Sequence, residues 1–299
     1  MPACMRLPIM ELSVASAGDF SKRIDAATMT DEIGIEAGRY GPYVLKTAYQ
    51  AVFHNAPDGP APYGVAGSTI AYRDGQPVSW QSFLEQVPPA DHGLIDAISH
   101  TLQLRNHRNI GVDGLAIHYR LENRMLEDPA GHIGELMRTL EDFELDPSLL
   151  VCELPTYEDE HEPAELAKLL HEKGIRIAVA GFGTDRAAIS RMRLLDPQIV
   201  KLDSEWFRRI AEVPMASRLL GSLVGTIQRD GRQVLIADVH KTEHLQSALD
   251  AGADFLQGDL LRRALLAGAI FDTECLNVRA LLGAEENVVP LFARQGKSN

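Results

Sequence analysis

From residue 114 onward the chain repeats one pattern that few folds accommodate: a short strand-like run apolar on both faces, then an amphipathic helical stretch. The strand-like runs are GLAIHYRL (114–121), LLVCEL (149–154), RIAVAG (176–181), QIVKLD (198–203), QVLIAD (233–238) and DFLQG (254–258). Helical patterns lie between them over 133–142, 162–173, 185–194, 215–229 and 242–251. Strands buried on both faces and joined through helices belong to a parallel sheet covered by helices. Upstream, YVLKTAYQAVF and YGVAGSTIAY are separated only by NAPDGPAP. So short a connection predicts an antiparallel pair, because parallel strands need a longer crossover. Further helical stretches follow at 80–86 and 90–108.

The fold class expected is therefore α/β, a (βα)8 TIM-like barrel over residues 41–282 with one antiparallel strand. A typical barrel of this kind takes about 250 residues. Residues 1–40 read as an N-terminal extension with a helix over 20–39, and 283–299 as a polar C-terminal tail. An open doubly wound sheet is disfavoured, since no glycine-rich phosphate loop follows the first strand of any βα unit.

Charge narrows the partners. Against 29 basic residues stand 42 acidic ones, a formal net charge of −13. Such a chain repels polyphosphate at long range, which argues against nucleic acid and against an anionic membrane. The three cysteines, Cys4, Cys152 and Cys275, are widely spaced and form no CxxC, as suits a reducing cytoplasm. The first residues lack a signal-peptide pattern, and the apolar run LLAGAIF is far too short to span a bilayer. A soluble cytoplasmic protein is expected.

Barrel chemistry sits where strands end and βα loops begin. The residues there are His118, Glu153, Ala180 and Gly181, Lys201 with Asp203, Asp238 with His240, and Gln257. Cys152 alternates with Glu153 and reads as a small buried hydrophobe, and Ser204 reads as the cap of the helix that follows Asp203.

These residues sit in longer stretches. LLVCELPTYED, IRIAVAGFGTDRAAISRMRLLDPQIVKLDSEWF and VLIADVHKTEHLQSALDAGADFLQGDLLRRAL resemble consecutive motifs of the EAL domain. YQAVF at 49–53 and YRDGQPVSWQSFL resemble its opening segments, so the resemblance spans roughly residues 43–270. It implies an EAL-type barrel that hydrolyses one phosphodiester of cyclic-di-GMP with two divalent metals, usually magnesium or manganese. Such a pair needs several anionic oxygens around it.

By the same resemblance, the name-giving glutamate falls on Ala66 or Gly67, and a phosphate-contacting arginine on Ile70 or Ala71. The family asparagine falls on His118, the paired aspartates on Ala180 and Gly181, and a second glutamate on Thr156. ADVH replaces the family's AEGVE, leaving Asp238 and His240. Family residues retained are Glu153, Lys201, Asp203, Gln257 and Gln50. Lys201, without metals beside it, is expected to pair with Glu153.

Three readings follow. The first is a degenerate, catalytically inactive EAL domain that regulates through protein–protein contacts, with no catalytic residue and no metal cofactor. The second is a cyclic-di-GMP receptor in which Gln50, Lys201 and Gln257 meet the ligand while Phe83 or Trp80 stacks on a base. The third is either residual phosphodiesterase activity with magnesium or manganese, or a new metal site. That site would use His118, Glu153, Asp238 and His240 and suit zinc, iron or nickel, with HxxxH at 240 and 244 as a variant. The family resemblance also makes a homodimer plausible near the stretch after Asp203.

Overall fold

The computed structural model describes residues 17–121, 129–154, 162–183 and 188–283. The chain enters as helix α1 (Ala17–Ala27) and passes directly into strands β1 (Thr28–Thr30) and β2 (Glu36–Tyr40). The helix expected over 20–39 thus stops at Ala27. Asp31 accepts hydrogen bonds from the Ile33 and Ile35 amides at 3.0 and 2.8 Å. Gly34 beside it takes φ 85°. This side-chain-closed turn folds Thr28–Thr30 back onto Glu36–Gly38 and outcompetes a continuing helix.

Next come β3 (Tyr43–Ala56) and β4 (Gly59–Arg73), which pair antiparallel from Tyr43–Arg73 down to Ala56–Gly59, as the short connection predicts. A small edge strand β5 (Gln76–Val78) leads to helices α2 (Trp80–Leu84) and α3 (His92–His107). The alternating part then runs β6 (Ala116–Arg120), α4 (Pro129–Asp142), β7 (Leu150–Leu154), α5 (Glu162–Glu172), β8 (Arg176–Phe182) and α6 (Ala188–Leu195). It continues with β9 (Ile199–Leu202), α7 (Ser204–Ala211), α8 (Pro214–Arg229), β10 (Gln233–Ile236), α9 (Thr242–Asp250) and β11 (Phe255–Gln257). Two short elements, β12 (Leu265–Leu266) and α10 (Val278–Leu281), follow.

β4 and β6 through β11 pair in parallel in chain order, and β3 lies antiparallel between β4 and β11. The result is the expected closed eight-strand barrel with one reversed strand. Its floor is a buried layer of Val52, Ala116, Val151, Ala178, Ile199, Leu235 and Phe255, one residue from each of seven strands. At β4 a bulge opposite Val52 and Phe53 places Tyr63 against Phe255, with ring centroids 4.5 Å apart. The Arg176 guanidinium donates to the Tyr63 hydroxyl.

Above the mouth, β1, β2, β5 and the upper halves of β3 and β4 form an antiparallel sheet. One face is covered by α1, α2 and α3 through Ile24, Leu45, Ala71, Phe83, Ile95 and Ile98. A Cβ on Gly38 would come within 2.7 Å of Ile98, so glycine is what lets β2 approach α3. Buried Asn106 of α3 accepts from the Glu36 amide and donates to the Glu36 carbonyl, both at 2.8 Å, much as a neighbouring strand would.

Residues 17–40 are thus bound into the same packed unit as the barrel. Ile24→Ala should lower the unfolding free energy by about 2–5 kcal/mol, measured by urea denaturation. A loss below about 0.5 kcal/mol, as for a surface position, would show that α1 contributes nothing to the core.

Candidate functional site at the barrel mouth

Alternation along the strands decides which residues look into the barrel. Ala66 packs against the floor cluster and pairs with Gln50 on β3 and His118 on β6. Gly67 points the other way, where a Cβ would meet Gln103 of α3 at 2.7 Å. Of the two registers open in the sequence, Ala66 is therefore the mouth residue. By the same alternation Ile70 lies on the mouth side, while Ala71 is wholly buried under the helices.

The centre of the mouth is a three-residue chain. Lys201 on β9 places its Nζ 2.8 Å from Glu153 Oε2 and 3.0 Å from Oε1. His118 Nδ1 lies 3.4 Å from Glu153 Oε1. Glu153 and His118 are buried and Lys201 is nearly so. Burial alone would push the Glu153 carboxyl up, but the Lys201 charge and the His118 contact outweigh it and hold the pKa well below the usual range. Burial pushes His118 down, and the neighbouring Glu153 only partly offsets this. His118 is thus neutral at neutral pH, with Nε2 unpartnered among the described residues. The Glu153–Lys201 pairing expected from the sequence is present.

Beside this chain the two glutamines bind each other across β11 and β3. Gln257 Nε2 donates to Gln50 Oε1 at 2.9 Å. Gln50 Nε2 in turn donates to Asp259 Oδ1 at 2.8 Å and to the Arg262 carbonyl at 3.2 Å. Gln257 Oε1 is left buried without a partner among the described residues. On β8 the ladder breaks between Val179 and Phe182, so Ala180 and Gly181 form a bulge, with Gly181 at φ 75°.

Other expected residues fall elsewhere. Asp203 ends β9 and caps α7, its Oδ1 accepting from the Trp206 amide at 2.8 Å. The cap is Asp203 rather than Ser204, because Asp203 keeps the extended backbone a capping residue needs (φ −64°, ψ 128°). Asp238 adopts φ 58° and turns outward to Arg208 of α7, with Oδ2 3.3 Å from Nη1. His240 is exposed and 3.8 Å from Asp238.

The expected convergence of His118, Glu153, Asp238 and His240 therefore does not occur; they form two separate pairs. His240 also precedes α9, whereas His244 lies within it, buried against Phe207 and 3.6 Å from Glu212. The HxxxH pair is thus not on one helix. Phe83 is fully buried above the barrel, 4.9 Å from Tyr43 and 5.2 Å from the half-buried Trp80. It is a core residue and offers no stacking face. Cys152 is buried on the outer side of β7, its thiol pushed up by burial. Thr156 lies outside the described residues. Tyr63 escaped sequence reasoning, because a bulge alone turns it inward.

The EAL domain model matches residues 45–264, well over half of the chain. The chain belongs to the EAL domain family. Among curated proteins it is 26% identical over 130 residues to the signaling protein YkoW of Bacillus subtilis, covering 42% of this chain and 16% of YkoW. It is 27% identical over 135 residues to the probable cyclic di-GMP phosphodiesterase PdeA of Escherichia coli, covering 44% of this chain and 18% of PdeA. The chain thus spans less than a fifth of either relative. Among solved structures, the B. subtilis YkuI protein in complex with substrate c-di-GMP and calcium has a TM-score of 0.67 at 19% identity. That match covers 80% of this chain and 60% of YkuI.

Whether the mouth can hold divalent metal turns on its oxygen donors. Both Glu153 oxygens are engaged by Lys201, Ala66 and Ala180 carry no donor, and one oxygen of Asp203 is committed to the helix cap. Among the described residues no three His, Cys, Asp or Glu side chains cluster as a metal site. The described side chains do not fit a two-metal centre.

Lys201→Met would strand a buried carboxylate and should cost about 3–5 kcal/mol. The double variant Lys201→Met/Glu153→Leu should recover most of that loss in the same denaturation measurement. Acid should act on the same groups. Glu153 and His118 both have folded pKa values below their unfolded ones, so the unfolded chain binds more protons and stability falls with pH. The His118 contribution is whole above about 6.5 and the Glu153 contribution above about 4.3; each is lost as the pH drops further. Thermal midpoints should fall from pH 7 to 5, and His118→Phe should flatten that fall. A wild-type midpoint that rises on acidification contradicts this account.

Proposed function

We propose that this EAL domain does not hydrolyse cyclic-di-GMP and acts as a regulatory module through contacts with a partner protein. One observation carries the reading: the retained carboxylate, Glu153, has both oxygens held by the Lys201 ammonium at 2.8 and 3.0 Å. A carboxylate clamped in this way, at a mouth where positions 66 and 180 are alanine, is poorly suited to share a hard cation. An intact barrel without its metal ligands keeps a rigid surface for recognition, and the broader cyclic-di-GMP signalling setting follows from the family.

A second reading has its own support. Gln257 Oε1 is buried at the mouth beside Gln50 and unpartnered among the described residues, which suits a hydrogen-bonding ligand such as cyclic-di-GMP, held without cleavage. In that case Lys201 stays on Glu153, and the glutamines supply recognition.

One paired experiment separates these possibilities. Purified full-length chain with magnesium or manganese is expected to release no linear dinucleotide from cyclic-di-GMP. Calorimetric titration with the same nucleotide reads binding. Turnover that disappears in Glu153→Ala overturns the noncatalytic proposal. Heat of binding without turnover selects the receptor reading, and heat lost in Gln257→Ala places the ligand at the glutamines.

A further inference from the structure

Gln50, His118, Glu153, Lys201 and Gln257 each stand two residues from a floor residue of their own strand, toward the mouth. Strand alternation therefore turns all five to the inside of the barrel. Their hydrogen bonds fix which atoms this tier leaves free. Gln50 commits its amide nitrogen to Asp259 Oδ1 at 2.8 Å and to the Arg262 carbonyl at 3.2 Å. Its Oε1 must then face Gln257, which donates from Nε2 at 2.9 Å. Turning the Gln257 amide over would set two carbonyl oxygens against each other. The free atom of Gln257 is thus an acceptor, Oε1, on a side chain only 9% exposed.

His118 is settled by the same reasoning. Glu153, paired with Lys201, is a carboxylate and can only accept, so His118 Nδ1 carries the hydrogen and donates to Oε1 at 3.4 Å. The Nε2 of this neutral ring is then a bare lone pair, unpartnered on a residue 1% exposed. Ala66 pairs with His118 on one side and with Gln50, the partner of Gln257, on the other. Its methyl group offers neither acceptor a donor. Two buried acceptors without a donor are costly unless a ligand or water supplies one.

We propose that the barrel mouth binds a small ligand through a guanidinium or amidinium group, whose N–H donors meet Gln257 Oε1 and His118 Nε2 on either side of Ala66. A planar fork of this kind carries donors in several directions and no acceptor, the complement of a tier whose free atoms are lone pairs. A phosphate or carboxylate would set its own oxygens against them. The Lys201 charge that would attract such an anion is already neutralised by Glu153. At long range the formal net charge of −13 draws a cation toward the chain. The inference rests on the mouth being a binding site, as in the receptor reading, but not on cyclic-di-GMP being its ligand.

Methylguanidinium chloride titrated into the full-length chain is the probe, with tetramethylammonium chloride as a cation that has no N–H. Methylguanidinium is expected to bind saturably at millimolar concentration and tetramethylammonium is not. The imidazole nitrogen resonance of His118 Nε2, followed by NMR, should move as its lone pair gains a hydrogen bond. Gln257→Met and His118→Phe should each weaken binding at least about tenfold, the effect of losing one hydrogen bond to a charged group. Absence of saturable binding overturns the proposal. So does binding that leaves the His118 resonance in place, or equal binding of tetramethylammonium. Cyclic-di-GMP that binds where methylguanidinium does not also overturns it, while the receptor reading then stands.

Discussion

The structure hangs on one reversed strand. β3 is long enough to serve two purposes: its lower half closes the barrel between β4 and β11, and its upper half carries a sheet above the mouth. One edge is paired with β4 throughout, while the other is shared in turn by β2, β12 and β11. Only an antiparallel strand can do this with a tight turn, since a parallel one would need a crossover helix on the barrel wall. The upper sheet in turn carries α1, α2 and α3 packed together on one face. That is why α3 buries polar side chains such as Asn106 and Gln103, which bond to strand backbone or to Thr69 rather than to water.

At the mouth, the same scaffold brings together groups distant in sequence. Glu153, Lys201 and His118 come from β7, β9 and β6 and meet where the parallel ladder sets these strand ends side by side. In a partly dry site a lone carboxylate would be costly, and Lys201 removes that cost by neutralising it. The adjacent positions Ala66 and Ala180 ask for no such compensation. The polar groups are arranged as an ion pair and a bonded pair of glutamines, with Gln257 Oε1 and His118 Nε2 left without a partner among the described residues.

Much of this was legible in the sequence. The parallel strands from β6 onward lie within a residue or two of their expected places, the antiparallel hairpin is where the short turn put it, and the expected Glu153–Lys201 pair joins strand ends on either side of β8. Asp238 and Asp203 were read as mouth residues from their place at strand ends and Phe83 as a stacking ring, but a side chain's direction depends on local backbone and packing. Asp238 rotates outward at a left-handed φ, Asp203 turns to the amides of its own helix, and Phe83 lies under the upper sheet. The turn at Asp31 and Gly34 likewise converts an expected helix into a hairpin.

By itself, the sequence determined the class of fold and the alanines at positions 66 and 180, because apolar periodicity and residue identity are local properties. Only the tertiary structure decided between Ala66 and Gly67, split the supposed four-residue cluster into two pairs, and bound residues 17–40 to the barrel. Those outcomes depend on strand parity, barrel closure and packing between segments far apart in the chain, which no local pattern encodes.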